Sequence, residues 1–227
     1  MTRLYSFVRL DFITVKPYLT IKNLLIYIGI ALFMLIPTDS TAGTCGILMA
    51  LGAQYASYPF AIGEKNNMDV LYATLSISRD TVVLGRYLFA LTLDILMASF
   101  AFGISLIVLT VMQRGFNVPE FSLTILLLFM VFSLTQAIQL PIYFKLGYTK
   151  AKFLAYLPFI VFPLVIVMLP QFFRAFVDVF SLERIRALAE WLIKNRLSAA
   201  LAGGAIWLVI MLVSYKVSVS RYRQRDF

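Results

Sequence analysis

The sequence predicts an all-α membrane protein with six transmembrane helices. Of its 227 residues, 61% are apolar and only 14% are charged, and the mean hydropathy is +0.89. Soluble domains are about 45–50% apolar and about 25% charged, so this composition excludes a soluble globular fold. The basic residues are also distributed unevenly between the apolar stretches, as expected of a chain that crosses a membrane with one orientation.

Six apolar windows are long enough to cross the hydrocarbon core, which requires about 20 residues. Lys22 lies near one end of the first window, and the third window, Tyr87 to Gln113, carries a single charge, Asp94. Because the windows leave no room for a folded soluble domain, the whole chain 1–227 is predicted to be one transmembrane domain. The predicted spans are 19–38, 41–63, 82–112, 121–144, 153–173 and 197–216.

The charge distribution predicts the orientation of these spans. Of the 20 Lys and Arg residues, 14 fall on the side that carries both termini and 6 fall on the other side. Cytoplasmic segments of membrane proteins are enriched in Lys and Arg, so both termini are predicted to be cytoplasmic. This asymmetry also explains the net charge of +9 without nucleic acid as a partner.

Three segments outside the spans have helical periodicity. Residues 1–16 are predicted to form an amphipathic helix in the inner headgroup layer, although Asp11 interrupts its apolar face. The second helix lies between spans two and three, and the third is an outer segment between spans five and six. Ser78 and Asp80 predict the N-cap and acidic first turn of the next helix. The three apolar faces consist of Leu4, Val8, Phe12 and Val15; of Met68, Leu71, Tyr72 and Leu75; and of Leu182, Ile185, Ala189 and Leu192.

The residue types and motifs of common enzyme chemistry are missing from the sequence. It has no histidine, and Cys45 is its single cysteine, which excludes zinc clusters and an internal disulfide. No G-x-x-x-x-G-K-[ST] loop is present to cradle nucleotide phosphates. We therefore expect this chain to have no catalytic residues, no metal site and no cofactor of its own.

The most informative stretch lies between spans two and three. Phe60 is followed by Glu64-Lys65-Asn66-Asn67, by Leu75-Ser76-Ile77-Ser78-Arg79 and by Gly85-Arg86-Tyr87. This pattern resembles the permeases of the type-2 ATP-binding cassette transporters, in particular compact bacterial members. Those proteins carry a phenylalanine, an acidic-Lys-Asn cluster, a Leu-Pro-x-Ser-Arg turn and a basic-Tyr pair. Ser76 stands where proline is common.

The resemblance implies that the helix between spans two and three is a cytoplasmic coupling helix that docks into a cleft of a separate ATPase subunit. It also implies two ATPase copies that bind ATP and Mg, a second permease chain (identical or different) and the bacterial plasma membrane. The compact members resemble exporters of amphipathic or antimicrobial peptides, including phenol-soluble modulins. By position, the docking contacts are assigned to Glu64, Lys65, Asn66, Met68, Asp69, Leu71, Tyr72 and Leu75. From its pattern alone, this segment equally fits an interfacial loop resting on lipid.

Three residues are candidates for lining a transport path: Gln54, Tyr55 and Asp94. Ionisable residues at depth in a membrane usually face a bundle interior or water, so Asp94 is a functional candidate. The equal alternative is a structural role, with Asp94 hydrogen-bonded to Gln136, Gln139 or a serine.

Two other function classes compete with an ATP-driven exporter. A secondary transporter or channel would work without an ATPase, but ion coupling requires ionisable groups inside spans, and Asp94 is the single acid there. An intramembrane enzyme is disfavoured because the chain lacks histidine and paired acids.

The predicted orientation can be tested with single cysteines in a Cys45→Ser background. In intact cells, an impermeant thiol reagent should label Gly115→Cys and Ser181→Cys and should leave Thr149→Cys unlabelled, because the 14 to 6 charge split places Thr149 inside. Labelling of Thr149→Cys together with protection of Ser181→Cys would reverse the orientation.

Overall fold

The computed structural model describes residues 2–38, 41–113, 115, 118–157 and 195–225, and these residues contain helices and turns without a β-strand. A 3-10 turn, Lys16–Tyr18, links the first two helices. The helices are α1 Thr2–Val15, α2 Ile21–Thr38, α3 Thr41–Tyr55, α4 Tyr58–Lys65, α5 Met68–Thr74, α6 Arg79–Val111, α7 Val118–Leu146, α8 148–157 and α9 Arg196–Arg223.

Four stretches within the described ranges are long and apolar enough to cross a membrane. A fifth is added if the bent pair Leu4–Tyr18 and Ile21–Phe33, whose axes meet at 79°, counts as one span. The predicted fifth span lies mostly outside the described residues, as does the predicted outer helix between spans five and six. The structure therefore supports an all-helical membrane protein with four or five candidate spans. The four are Ala42–Lys65, Arg79–Val111, Phe121–Leu146 and Ala200–Arg223.

Helix α1 confirms the predicted N-terminal helix, but the centre of its buried face differs from the prediction. Phe7, Asp11 and Val15 are buried, whereas Val8 and Phe12 are partly buried. From the sequence, Asp11 is predicted to interrupt the apolar face. That interpretation was wrong, because Asp11 lies at the centre of the face that packs against α6.

Asp11 is buried because it forms an ion pair with Arg86 near the start of α6. The Arg86 Nη1 to Asp11 Oδ1 distance is 3.0 Å, and the two residues are 4% and 1% exposed. The guanidinium also lies over the rings of Phe7 and Phe60, at 5.7 and 4.9 Å from their centroids. Such cation–π contacts add to the pairing where water is excluded. Gly85 is required beside Arg86, because a Cβ there would collide with the Phe7 ring.

Helix α5 is short because a left-handed residue lies on each side of it. Asn67 has a φ of 50° and Ser76 a φ of 52°. Proline fixes φ near −65°, so a proline could not adopt the conformation of Ser76. Proline is nevertheless common at this position in the permeases that the sequence resembles. Helix α6 then begins with the predicted cap, in which the Ser78 hydroxyl accepts a hydrogen bond from the amide of Thr81.

Four segments that the sequence places on one side of the membrane lie together at one end of the bundle. The start of α8 contacts the end of α4, because Thr149 N donates to a Glu64 carboxylate oxygen at 3.1 Å. The end of α9 contacts α5, and α1 contacts the start of α6. We call this region the α5 end; it consists of α1, the end of α4, α5, the start of α6, the start of α8 and the end of α9.

Removal of one member of the buried ion pair should strongly destabilise the fold. Asp11→Leu leaves the Arg86 charge buried and unpaired, which costs about 3–5 kcal/mol, whereas Asp11→Leu with Arg86→Met should recover most of that loss. Thermal unfolding in detergent measures the stability of the single and of the double variant. The exposed pair of Arg223 and Asp80 provides the control, because Asp80→Asn should cost at most about 1 kcal/mol. A double variant as unstable as Asp11→Leu would contradict the assignment.

Candidate partner-docking site at the α5 end

Helix α5 has one face exposed at the end of the bundle and one face turned into it. Val70, Leu71 and Leu75 are 49%, 44% and 60% exposed, whereas Tyr72 is 4% exposed. An apolar surface of this kind beside charged segments is typical of a protein–protein contact. The eight residues predicted to dock therefore divide into an outward and an inward set.

Tyr72 belongs to the inward set. Its ring packs edge-on against Phe7 with centroids 5.2 Å apart, which joins α5 to α1. Burial raises the pKa of the Tyr72 hydroxyl, and the nearby Arg86 charge opposes that shift without cancelling it. Tyr72 is thus a neutral core residue. The helical spacing alone grouped it with the exposed leucines, because Tyr72 follows Met68 by four positions and precedes Leu75 by three.

Glu64 is also turned toward the protein. Its Oε2 atom accepts hydrogen bonds from the backbone amides of Tyr148 and Thr149, the first two residues of α8. The amides at a helix N-terminus lack partners within the helix, so a carboxylate there satisfies them and favours the helix dipole. Gly147 allows the approach, since a Cβ at this residue would lie 2.8 Å from Glu64 Oε2.

Asp69 completes the inward set. Its Oδ1 atom accepts a hydrogen bond of 2.8 Å from the Tyr222 hydroxyl, and its Oδ2 atom lies 3.5 Å from Arg225 Nη1. Lys65 and Asn66 are exposed, as are Leu71 and Leu75, and Met68 is partly buried. The exposed surface, which we call the α5 face, consists of Lys65, Asn66, Val70, Leu71 and Leu75.

Sequence reasoning missed Val70 on the α5 face and the anchors Asp11, Tyr222 and Arg225 behind it. Arg86 was noted as part of a motif without a partner. One signal was present, because Asp11 and Arg86 are opposite charges that each interrupt an apolar helix face. Nothing in the local pattern links residues of α5 to the end of α9, which follows more than 140 residues later.

The three candidates for a transport path differ in burial and in hydrogen bonding. Asp94 is fully buried between α6 and α7, where it accepts a hydrogen bond of 2.8 Å from Gln136 Nε2. Tyr55 is buried between α2 and α3, where its hydroxyl is hydrogen-bonded to Tyr27. Gln54 is exposed. Asp94 thus has the neighbour that the structural alternative requires.

The described residues thus form a helical membrane bundle with a short helix, α5, whose apolar side chains are exposed at one end. The family model described as ABC-2 family transporter protein matches residues 6–223. Since the match covers nearly the whole sequence, the chain belongs to this family. It is an integral membrane permease of an ABC transporter, and the family implies an ATPase partner. No curated protein matches the chain.

The buried contact of Asp94 predicts how its variants differ. Asp94→Leu leaves the Gln136 amide buried without its acceptor and should lower stability by about 1–3 kcal/mol, whereas Asp94→Asn keeps an acceptor oxygen and should melt close to wild type. Thermal unfolding in detergent compares the two. Wild-type melting in both variants would contradict a structural role, and loss of transport in Asp94→Asn with normal melting would indicate a role in the path.

Proposed function

We propose that this chain is the permease subunit of an ATP-driven exporter and that a separate ATPase subunit docks on the α5 face. The observation that carries this proposal is the exposure of Val70, Leu71 and Leu75 on a helix whose opposite face is held by the bundle. Family membership supports the permease role. The missing nucleotide-binding loop supports an ATPase on another chain, which would bind ATP and Mg there.

The contacts of α5 with the bundle favour a role in transmitting movement from the ATPase over a role in ATPase binding alone. Tyr72 packs on α1, and Asp69 is bonded to the end of α9. A displacement of α5 would therefore move α1 and α9, and α9 contains the candidate span Ala200–Arg223. In this proposal two permease chains enclose the path at their interface, and closure of two ATPase copies switches its exposure from one side to the other.

The proposed location is the bacterial plasma membrane with both termini in the cytoplasm. The gathering of the terminal and α5 segments at one end of the bundle supports a common side for them. The 14 to 6 distribution of basic residues supports the cytoplasmic assignment.

The proposed substrates are amphipathic or antimicrobial peptides or other amphiphiles. This substrate class rests on the resemblance of residues 60–87 to compact peptide exporters. A secondary transporter would instead depend on Asp94 for ion coupling. That alternative is less favoured, because Asp94 is enclosed between two helices and bonded to a neutral amide.

The α5 face predicts a specific loss of ATPase binding. Leu71→Ala with Leu75→Ala should preserve folding, since both side chains are exposed, and should abolish or greatly reduce co-purification of the ATPase. Truncation of an interface anchor commonly costs more than about 1 kcal/mol. The measurement is recovery of the ATPase with a tagged permease from membranes of cells that produce both.

The matched control is Leu123→Ala with Leu127→Ala, which removes two leucines of similar exposure and the same spacing from the membrane-spanning part of α7. This control should retain the ATPase. Transport by the purified chain in liposomes without any ATPase would favour the secondary transporter.

A further inference from the structure

The last residues of the described chain lie against the loop that joins α5 to α6. We call residues 222–225, which contain the end of α9 and Arg225, the α9 tail. Its contacts reach both sides of that loop, to Asp69 in α5 and to Arg79 and Asp80 in the first turn of α6. The α9 tail thus bridges two helices that the backbone connects only through residues 75–78.

The contact with α5 is the better protected of the two. Tyr222 is 2% exposed, and its ring packs edge-on against Phe144 with centroids 5.2 Å apart. This packing fixes the hydroxyl where it donates to Asp69 Oδ1, and Arg225 approaches the other carboxylate oxygen at 3.5 Å. A hydrogen bond from a buried hydroxyl to a charged acceptor is stronger than one between two neutral groups.

The contact with α6 uses two carbonyls in the last turn of α9. Arg79 Nη1 donates to the carbonyl oxygens of Tyr222 and Arg223, the first at 3.0 Å. The last carbonyls of a helix lack partners within the helix, so a guanidinium there satisfies them and complements the helix dipole. Arg223 in turn donates from Nε and Nη2 to the two carboxylate oxygens of Asp80.

Helix α5 requires such a bridge if it is to transmit movement. It has seven residues and is bounded by Asn67 and Ser76, whose φ values of 50° and 52° mark a change of chain direction on each side. A short helix between two turns can tilt while the adjoining spans stay in place. A bond from its inner face to a long helix removes that freedom.

We propose that the α9 tail is a positioning element that couples the movement of α5 to α9, with Asp69, Tyr222 and Arg225 as the coupling residues. The proposal rests on the proposed function, in which an ATPase moves α5. In this proposal α9 takes a direct part in the switch of the transport path. A movement of α5 pulls on the end of α9, in addition to any effect through lateral packing.

The first experiment tests the bridge in the purified permease without an ATPase. Tyr222→Phe keeps the ring packing and removes only the hydroxyl, and Asp69→Asn with Tyr222→Phe removes the bond from both sides. Hydrogen exchange of the α5 amides should accelerate about fivefold or more in these variants, because the local opening of α5 becomes easier. Unchanged exchange in the double variant would overturn the proposal.

The matched control is Arg221→Gln. Arg221 is an exposed basic residue in the same last turn of α9, and it forms no hydrogen bond or ion pair with the described residues of α5 or α6. Its loss changes the charge at the end of α9 by one unit, as Arg225→Gln does, without removing a group of the bridge. Exchange of α5 should stay at the wild-type rate in Arg221→Gln and should rise in Arg225→Gln. Equal acceleration in both would show a general charge effect and would overturn the assignment.

The second experiment tests coupling in the complex with the ATPase. In a Cys45→Ser background, a spin label at Ala73→Cys reports on α5 and a label at Ala205→Cys reports on α9, since both positions are exposed. Addition of ATP, Mg and vanadate should change both spectra. In Asp69→Asn with Tyr222→Phe, the spectral response of the label on α9 should fall about fivefold or more, while that of the label on α5 remains. A change of this size is within the usual range of coupling between two sites.

An undiminished α9 response in that double variant would overturn the coupling role. A wild-type chain that retains no ATPase would instead overturn the proposed function, and the exchange experiment would still decide whether the α9 tail holds α5.

Discussion

The buried ion pair between Asp11 and Arg86 is the interaction on which the α5 end depends. Removing two charges from water costs several kcal/mol for each ion, so the pair is tolerable only where geometry and neighbouring groups compensate. Here Phe7 and Phe60 enclose the guanidinium, and Gly85 admits the ring of Phe7. Because Phe7 also packs on Tyr72, the same residues that shield the pair attach α5 to the bundle.

The α5 end is therefore built from two kinds of attachment with different sensitivities. The α1 side is aromatic and fully buried, so it should change little with salt. The α9 side uses Asp69, Arg225 and the exposed pair of Arg223 with Asp80, which water and ions can reach. The two attachments of α5 therefore differ in how far salt can weaken them.

The sequence predicted the exposed side of α5 but not the contacts of its inner side, for one physical reason. Helical periodicity reports which residues share a face, and Leu71 and Leu75 share the exposed one. It does not report which neighbour covers the opposite face. Glu64 was therefore assigned to docking although it caps α8, and Asp11 was judged a flaw although it pairs with Arg86.

The sequence by itself determined the all-helical membrane class, the helix between spans two and three and the Ser78 cap, because composition, periodicity and capping are local properties of the chain. The common side of the terminal and α5 segments followed from counting Lys and Arg. Only the tertiary structure decided the partners of Asp11, Asp69 and Asp94, since each acid meets its partner on a helix distant in sequence. A buried charge reveals that a partner must exist, and the packing of the helices decides which residue supplies it.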